Sequence, residues 1–305
     1  MNWLWITTLA YFLIALESIL DKFLLSSRRV AHPATYAFYA GLLSISAFLL
    51  FPFGFHLISV QSVFKEIFSG VIFVYGILFL FFAIRDNEAS QVIPVAGAVT
   101  AIFTYFFSFF FLGEHLSVFK FWGIIALIIG GLLISLDFSS NRLKHFFDGF
   151  TFSVFSGFFL ALSLSWFKKF YLGDNFINVY IWTRIGLVVG AISFFIYPYW
   201  RQIILASLFR FKKPQSQDKR SGIIFVMNKV LGGVGSFLLN YAISLSSVTI
   251  INALVSLEYL FIFGLAYLFS KWVGKIFKEK NDFFTLTRKL AAVGVIAFGM
   301  FLISL

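Results

Sequence analysis

The chain contains no cysteine. Disulfide frameworks, thiolate metal sites and cysteine nucleophiles are excluded together, and nothing follows about compartment. Charge is also scarce. Only 12% of the 305 residues are charged and 60% are hydrophobic, whereas soluble domains carry about a quarter charged residues. That balance excludes an ordinary cytosolic enzyme and a disordered chain. Histidine is limited to His32, His56, His115 and His145, none in a His-x-x-x-His or His-x-x-Glu-His spacing, so no zinc site is expected. There is no Gly-x-Ser-x-Gly elbow and no Walker-type loop, which removes ATP-driven transport by this chain alone. With no catalytic constellation left, the chain is expected to be no enzyme and to need no cofactor.

What is present is hydrophobic length. Ten apolar segments run approximately over 3–20, 34–55, 67–84, 89–111, 119–137, 149–167, 176–199, 222–243, 247–270 and 287–305. A span needs ~20 apolar residues, so ten of them leave no room for a separate soluble domain. Backbone in hydrocarbon must satisfy its own polar groups, which makes helices the default. The ten-residue alternating segments of a barrel are absent. The fold class expected is therefore all-α, a polytopic membrane protein with ten transmembrane helices. The N-terminal apolar stretch reads as a retained first span, because no basic residue precedes it and Glu17, Asp21 and Lys22 follow. The 46 phenylalanines fill lipid-facing and core positions alike.

The net charge of +11 reflects basic loops beside an anionic leaflet rather than a nucleic-acid partner. Loops joining spans 1–2, 3–4, 5–6, 7–8 and 9–10 hold 18 of the 24 Lys and Arg residues; the even loops hold Lys65, Lys120, Lys168 and Lys169. The positive-inside rule then places both termini outside the cell membrane. The stretch from Arg201 to Phe211 reads either as a basic interfacial helix or as a solvated loop.

Short internal echoes keep the same order in both halves. Phe82-Ala83-Ile84 matches Tyr241-Ala242-Ile243 and Gly76 matches Gly235; the fifth and tenth spans end alike at 132–136 and 301–305. Two repeats follow, 1–145 and 146–305. Five spans is an odd number, so the second copy enters the membrane inverted, an arrangement that places a binding site between the halves.

An ionisable residue within a span costs about 2.5–3.5 kcal/mol to insert, so each one marks a candidate site. Glu17, Arg184, Lys229 and Glu258 qualify. Lys229, Gly232, Gly233, Ser236 and Asn240 recur at helical spacing and form either a cavity wall or a close-packing stripe. Ser90, Pro94, Gly97, Ala101, Thr104 and Ser108 form a second stripe with the same two readings. Arg184 shares a face with Tyr180 and either pairs with Glu258 or meets an anionic substrate group. Glu17 is either a protonatable coupling site or a group that snorkels to the interface. Gly123, Ala126, Gly130, Ala292 and Gly299 read as packing positions.

The run from Ala89 through Gly113-Glu114-His115-Leu116-Ser117 to Gly123 and Gly130-Gly131 resembles the EamA repeat of the drug/metabolite transporter superfamily. Ser256-Leu257-Glu258 resembles that family's leucine-glutamate-proline in the ninth helix. Tyr259 stands where the proline would be, and a basic insertion from Ser270 to Lys275 replaces the second glycine-glutamate turn. The resemblance covers the whole chain. It implies export or exchange of a small metabolite through a central cavity, helices five and ten at the periphery, and both termini inside, against the charge count. The function expected is secondary transport of a small polar or anionic metabolite by alternating access, with membrane lipids and protons as further partners. A flippase for a lipid-linked sugar is the alternative on the same fold, and a membrane-embedded enzyme or structural subunit a more distant one.

Overall fold

The computed structural model describes residues 2–26, 32–86, 89–135, 143–210, 216–268 and 283–304. Eight helical stretches are long and apolar enough to cross a membrane: Asn2–Asp21, Pro33–Phe53, Val60–Arg85, Val92–Leu112, Gly149–Tyr171, Phe176–Ile196, Ile223–Leu245 and Val248–Leu265. Among the described residues there is no strand. This is the architecture of a multi-pass, all-α membrane protein. Two further apolar helices, Val118–Leu133 and Leu290–Ile303, fall in the shorter class of 10–17 residues. The expected ten full-length spans thus become eight with two shorter helices, in the expected order. Both short stretches border residues whose side chains lie outside the described set.

In chain order the helices are α1 (Asn2–Ser26), α2 (Pro33–Leu43), α3 (Val60–Asp86), α4 (Ala89–Leu112), α5 (Val118–Ser135) and α6 (Leu143–Tyr171). Then come α7 (Phe176–Ser193), α8 (Pro198–Arg210), α9 (Ser216–Leu245), α10 (Val248–Ala253), α11 (Ser256–Leu268) and α12 (Phe283–Ser304). The second span changes winding. After α2 it continues as a 3-10 helix from Ser44 to Phe53, ending at Gly54, whose φ of 144° favours glycine. The seventh span likewise ends in a 3-10 turn, Phe194–Ile196. The basic stretch after it is helical as α8, with Ile204 buried and α2 as its neighbour.

The ninth span is interrupted. At Leu254 and Val255 the backbone leaves the α-helical pattern, and the Val255 N–H bonds the Asn252 carbonyl at 3.2 Å. The next bonds, Leu257 to Leu254 and Glu258 to Val255, also skip back three residues rather than four. The Ile251 carbonyl, deprived of its helical partner, accepts the Tyr11 hydroxyl of α1 at 2.8 Å. The freed backbone group is therefore satisfied inside the protein, as a low-dielectric setting requires.

Small residues set the closest crossings. α3 meets α7 at Gly70 and Gly186, where an added Cβ on either would strike backbone of the other helix. α1 meets α9 at Gly232 and Gly235, α6 meets α4 at Gly157, and α5 meets α12 at Gly123, Gly130 and Gly299. The last three glycines act in packing as the sequence implies. Between these crossings lies a core that includes Tyr36, Leu78, Phe167, Phe194 and Ile243, with a second cluster around Tyr11, Leu127, Leu254 and Ile296.

Gly186→Val is expected to lower the thermal midpoint in detergent, because overpacking a backbone-to-backbone crossing costs ~1–3 kcal/mol or more. Gly233→Ala, whose Cβ would meet nothing within 4 Å, should leave the midpoint unchanged. Scanning fluorimetry of the two variants makes the comparison, and equal midpoints would contradict the crossing.

Candidate functional site

The main polar cluster joins three helices. On α1, Glu17 and Asp21 lie one turn apart and share a face. Opposite them α9 carries Asn228 and Lys229, and α2 contributes Tyr36. The Lys229 Nζ donates to Glu17 Oε1 at 2.8 Å and to Asp21 Oδ1 at 3.1 Å. The same Asp21 oxygen accepts from the Tyr36 hydroxyl and from Asn228 Nδ2. The ammonium also lies 4.7 Å from the centroid of the Tyr36 ring. The Lys229 side chain is 8% exposed. Gly232 makes room for this arrangement, since a Cβ there would collide with the Glu17 carboxylate. Ion pairs taken out of water survive where extra hydrogen bonds complete them, and Tyr36 and Asn228 supply those. Two carboxylates face one ammonium, leaving a surplus of one negative charge when all are ionised. Glu17 is thus paired within the protein rather than snorkelling.

Glu258 stands apart from any cation among the described residues. It is buried, occupies the first turn of α11 just after the interruption, and accepts the Ser18 hydroxyl of α1 at 2.7 Å. The helix start directs partial positive charge at it. Arg184 does not pair with Glu258. Its Nη2 donates to Ser236 Oγ at 3.1 Å, and the guanidinium lies 4.4 Å from the Tyr180 ring centroid and 5.8 Å from that of Phe73. Behind Ser236, Asn240 Nδ2 donates to the Ser236 carbonyl at 2.8 Å, and Asn240 Oδ1 accepts the Tyr171 hydroxyl at 3.1 Å.

The sequence stripes divide accordingly. On α9, Lys229, Gly232, Ser236 and Asn240 face the interior, while Gly233 is exposed. Packing accounts for Gly232 and Gly235, and hydrogen bonding for Lys229, Ser236 and Asn240. On α4, Gly97 lies against the Tyr259 hydroxyl, which donates to the Ile93 carbonyl at 3.2 Å. Thr104 accepts Asn252 Nδ2 of α10 at 3.1 Å. That face therefore packs against α10 and α11; the side chain of Ser90 lies outside the described residues. Glu114 accepts the Thr249 hydroxyl at 3.0 Å, tying the loop before α5 to α10.

Asp21 lies one turn from Glu17 on the first helix in the sequence itself, but is not singled out there as a candidate. Glu66, 3% exposed with one carboxylate oxygen unpartnered, lies just before the estimated start of span three and escapes the sequence reading. One more turn of that helix brings it in. Asn228 precedes Lys229 directly, but Tyr36 and Ser18 carry no signal that separates them from other span residues.

No protein-family model matches the sequence, and no curated protein matches it. A solved crystal structure of 14% sequence identity aligns with a TM-score of 0.65, covering 97% of this chain and 98% of its own length. That likeness concerns the fold alone.

Removing one partner of a buried ion pair costs about 3–5 kcal/mol, because the other charge is left stranded. Lys229→Met should therefore destabilise strongly, and adding Glu17→Gln and Asp21→Asn should recover much of the loss. Thermal unfolding of the single and triple variants in detergent tests this. A single variant as stable as the parent would show that the cluster carries no buried charge.

Proposed function

We propose that the chain is a secondary transporter of the EamA type, in which repeats at 1–145 and 146–305 are inverted copies of five helices. It moves a small polar or anionic metabolite across the cell membrane by alternating access, as an exporter or exchanger. It makes and breaks no covalent bonds, and nucleic acid is not a partner. The observation that carries this reading is the interrupted ninth span. Its freed carbonyl and the buried Glu258 both engage α1, a helix from the other half of the chain. Discontinuous helices between two halves are how carriers bring polar groups to mid-depth.

Helix pairing supports the repeat. α1 packs on α9 as α3 packs on α6, α1 on α11 as α4 on α6, and α5 on α12. Each pair exchanges with its counterpart when spans one to five are mapped onto six to ten. One equivalence is uneven. α3 and α7 touch backbone to backbone, whereas α2 meets α9 through Tyr36, Tyr39, Phe225 and Asn228 side chains. A carrier facing one side has such inequality. The Lys229 cluster lies towards the C-terminal end of α1 and the N-terminal half of α9, acting as a latch between halves. Its surplus carboxylate supports protons as the coupling ion.

Comparing metabolites inside and outside cells with and without the gene identifies the substrate, and uptake by proteoliposomes under a pH gradient tests the mechanism. Glu258→Gln keeps the shape and can still accept from Ser18, so flux should fall at least tenfold with an unchanged thermal midpoint. Unaltered flux would remove Glu258 from the mechanism, and wild-type flux that never saturates would end the carrier reading.

The basic loops face the cytoplasm by charge, with both termini outside, opposite to the family's usual orientation. With no native cysteine, Ser117→Cys and Arg201→Cys each give a single thiol. In intact cells a membrane-impermeant maleimide should label the first and spare the second; the reverse pattern would invert the topology.

A further inference from the structure

Arg184 is buried, 5% exposed, and no carboxylate pairs with it among the described residues. This sets it apart from Lys229, whose ammonium is held by two carboxylates. A guanidinium has five N–H donors. Here the one hydrogen bond goes to Ser236, and Nε is buried without a partner. Burying a charge with so little compensation is strongly unfavourable unless something else completes it. The aromatic neighbours do not complete it. Tyr180 at 4.4 Å and Phe73 at 5.8 Å engage the cation through their ring faces and leave N–H donors unspent.

The surroundings are fixed in place. Ser236 is held through Asn240, which the Tyr171 hydroxyl orients in turn. Beyond Tyr180 a series of rings continues towards the start of α7. Tyr180 lies 5.6 Å from Phe176 and 5.2 Å from Phe237, and Phe176 contacts Phe237, Tyr171 and the exposed Tyr241. A single cation therefore stands at the inner end of a run of aromatic rings. Lys168, on the neighbouring α6, adds no second cation, because its ammonium donates to the Ile243 and Ser244 carbonyls at 2.9 and 3.2 Å.

We infer that Arg184 receives the anionic group of the transported molecule, and that the rings beside it hold a flat apolar body, so the substrate class is small aromatic monocarboxylates. A carboxylate matches the guanidinium fork in geometry and in charge, one against one. A phosphate dianion would leave a negative charge uncompensated beside those rings. This inference rests on the transporter reading for its physiological meaning, although the binding it describes is measurable without transport.

The test uses purified full-length protein in detergent, titrated calorimetrically with benzoate, benzamide, acetate and inorganic phosphate. Benzoate should bind at least tenfold more tightly than each of the other three. Arg184→Gln should abolish that preference while gel filtration and thermal midpoint stay those of the parent. Should that variant not fold, Tyr180→Leu, which removes a ring but no charge, should weaken benzoate binding at least fivefold while acetate binding stays the same. Equal affinity for benzoate and benzamide, tighter binding of phosphate, or undiminished benzoate binding in either variant would overturn the inference. Benzoate binding without flux in proteoliposomes would leave the receptor standing and sink the transporter. Flux of another solute that is untouched by Arg184→Gln would do the opposite.

Discussion

One constraint shapes the buried polar groups among the described residues: a group withdrawn from water into an apolar interior is costly unless it finds a partner. The contact between α1 and α9 meets that constraint most fully. Glu17, Asp21 and Lys229 would each be expensive alone, but they meet at hydrogen-bonding distance, and Tyr36 and Asn228 Nδ2 donate further hydrogen bonds to Asp21. The backbone cooperates, since Gly232 leaves the volume that the Glu17 carboxylate occupies. Packing and charge are thus a single requirement at this crossing. A side chain at 232 would break the ion pair as surely as removing the lysine.

The same constraint explains how the ninth span can be interrupted. Leaving the α-helical pattern at Leu254 and Val255 frees the Ile251 carbonyl, and Tyr11 reaches across from α1 to take it. Two residues of α1, Tyr11 and Ser18, are therefore committed to the interruption, one to backbone and one to Glu258. On the same helix, Glu17 and Asp21 bind α9. α1 is thus held by polar bonds to both α9 and the α10–α11 pair, which ties the first helix to the second half of the chain. In the proposed carrier, a change in any of these bonds is felt where the halves meet.

The helices were largely legible because apolar length is a coarse signal spread over about twenty residues. Where it failed, finer physics had intervened. The second span turns into a 3-10 helix at Ser44 and the ninth breaks at Leu254, with no proline or glycine at either point to announce it. The site was legible in part. Charges within apolar runs stand out, so Glu17, Arg184, Lys229 and Glu258 could be named. Which of them pair could not be read, because partnership depends on how helices rotate against one another. Arg184 and Glu258 have opposite charge, yet each takes a serine instead, Ser236 and Ser18. Glu66 was missed for a simpler reason, since hydropathy places span ends only to within a turn.

The division of charge bears on mechanism. The sequence left Lys229 on a cavity wall or a packing stripe; in this conformation two carboxylates hold its ammonium, and an incoming anion would have to displace them. Such a cation suits a latch, whose energy changes when the halves separate or when a carboxylate is protonated. Arg184 has the opposite character. Its hydrogen bonds are few, and among the described residues aromatic rings rather than acids surround it. A buried guanidinium with no counter-ion among the described residues gains most from an external one. If the two cations exchanged environments, Lys229 would lose its partners and Arg184 would gain a counter-ion. In the proposed carrier the two sites are therefore separable, one for which end is closed and the other for what is accepted.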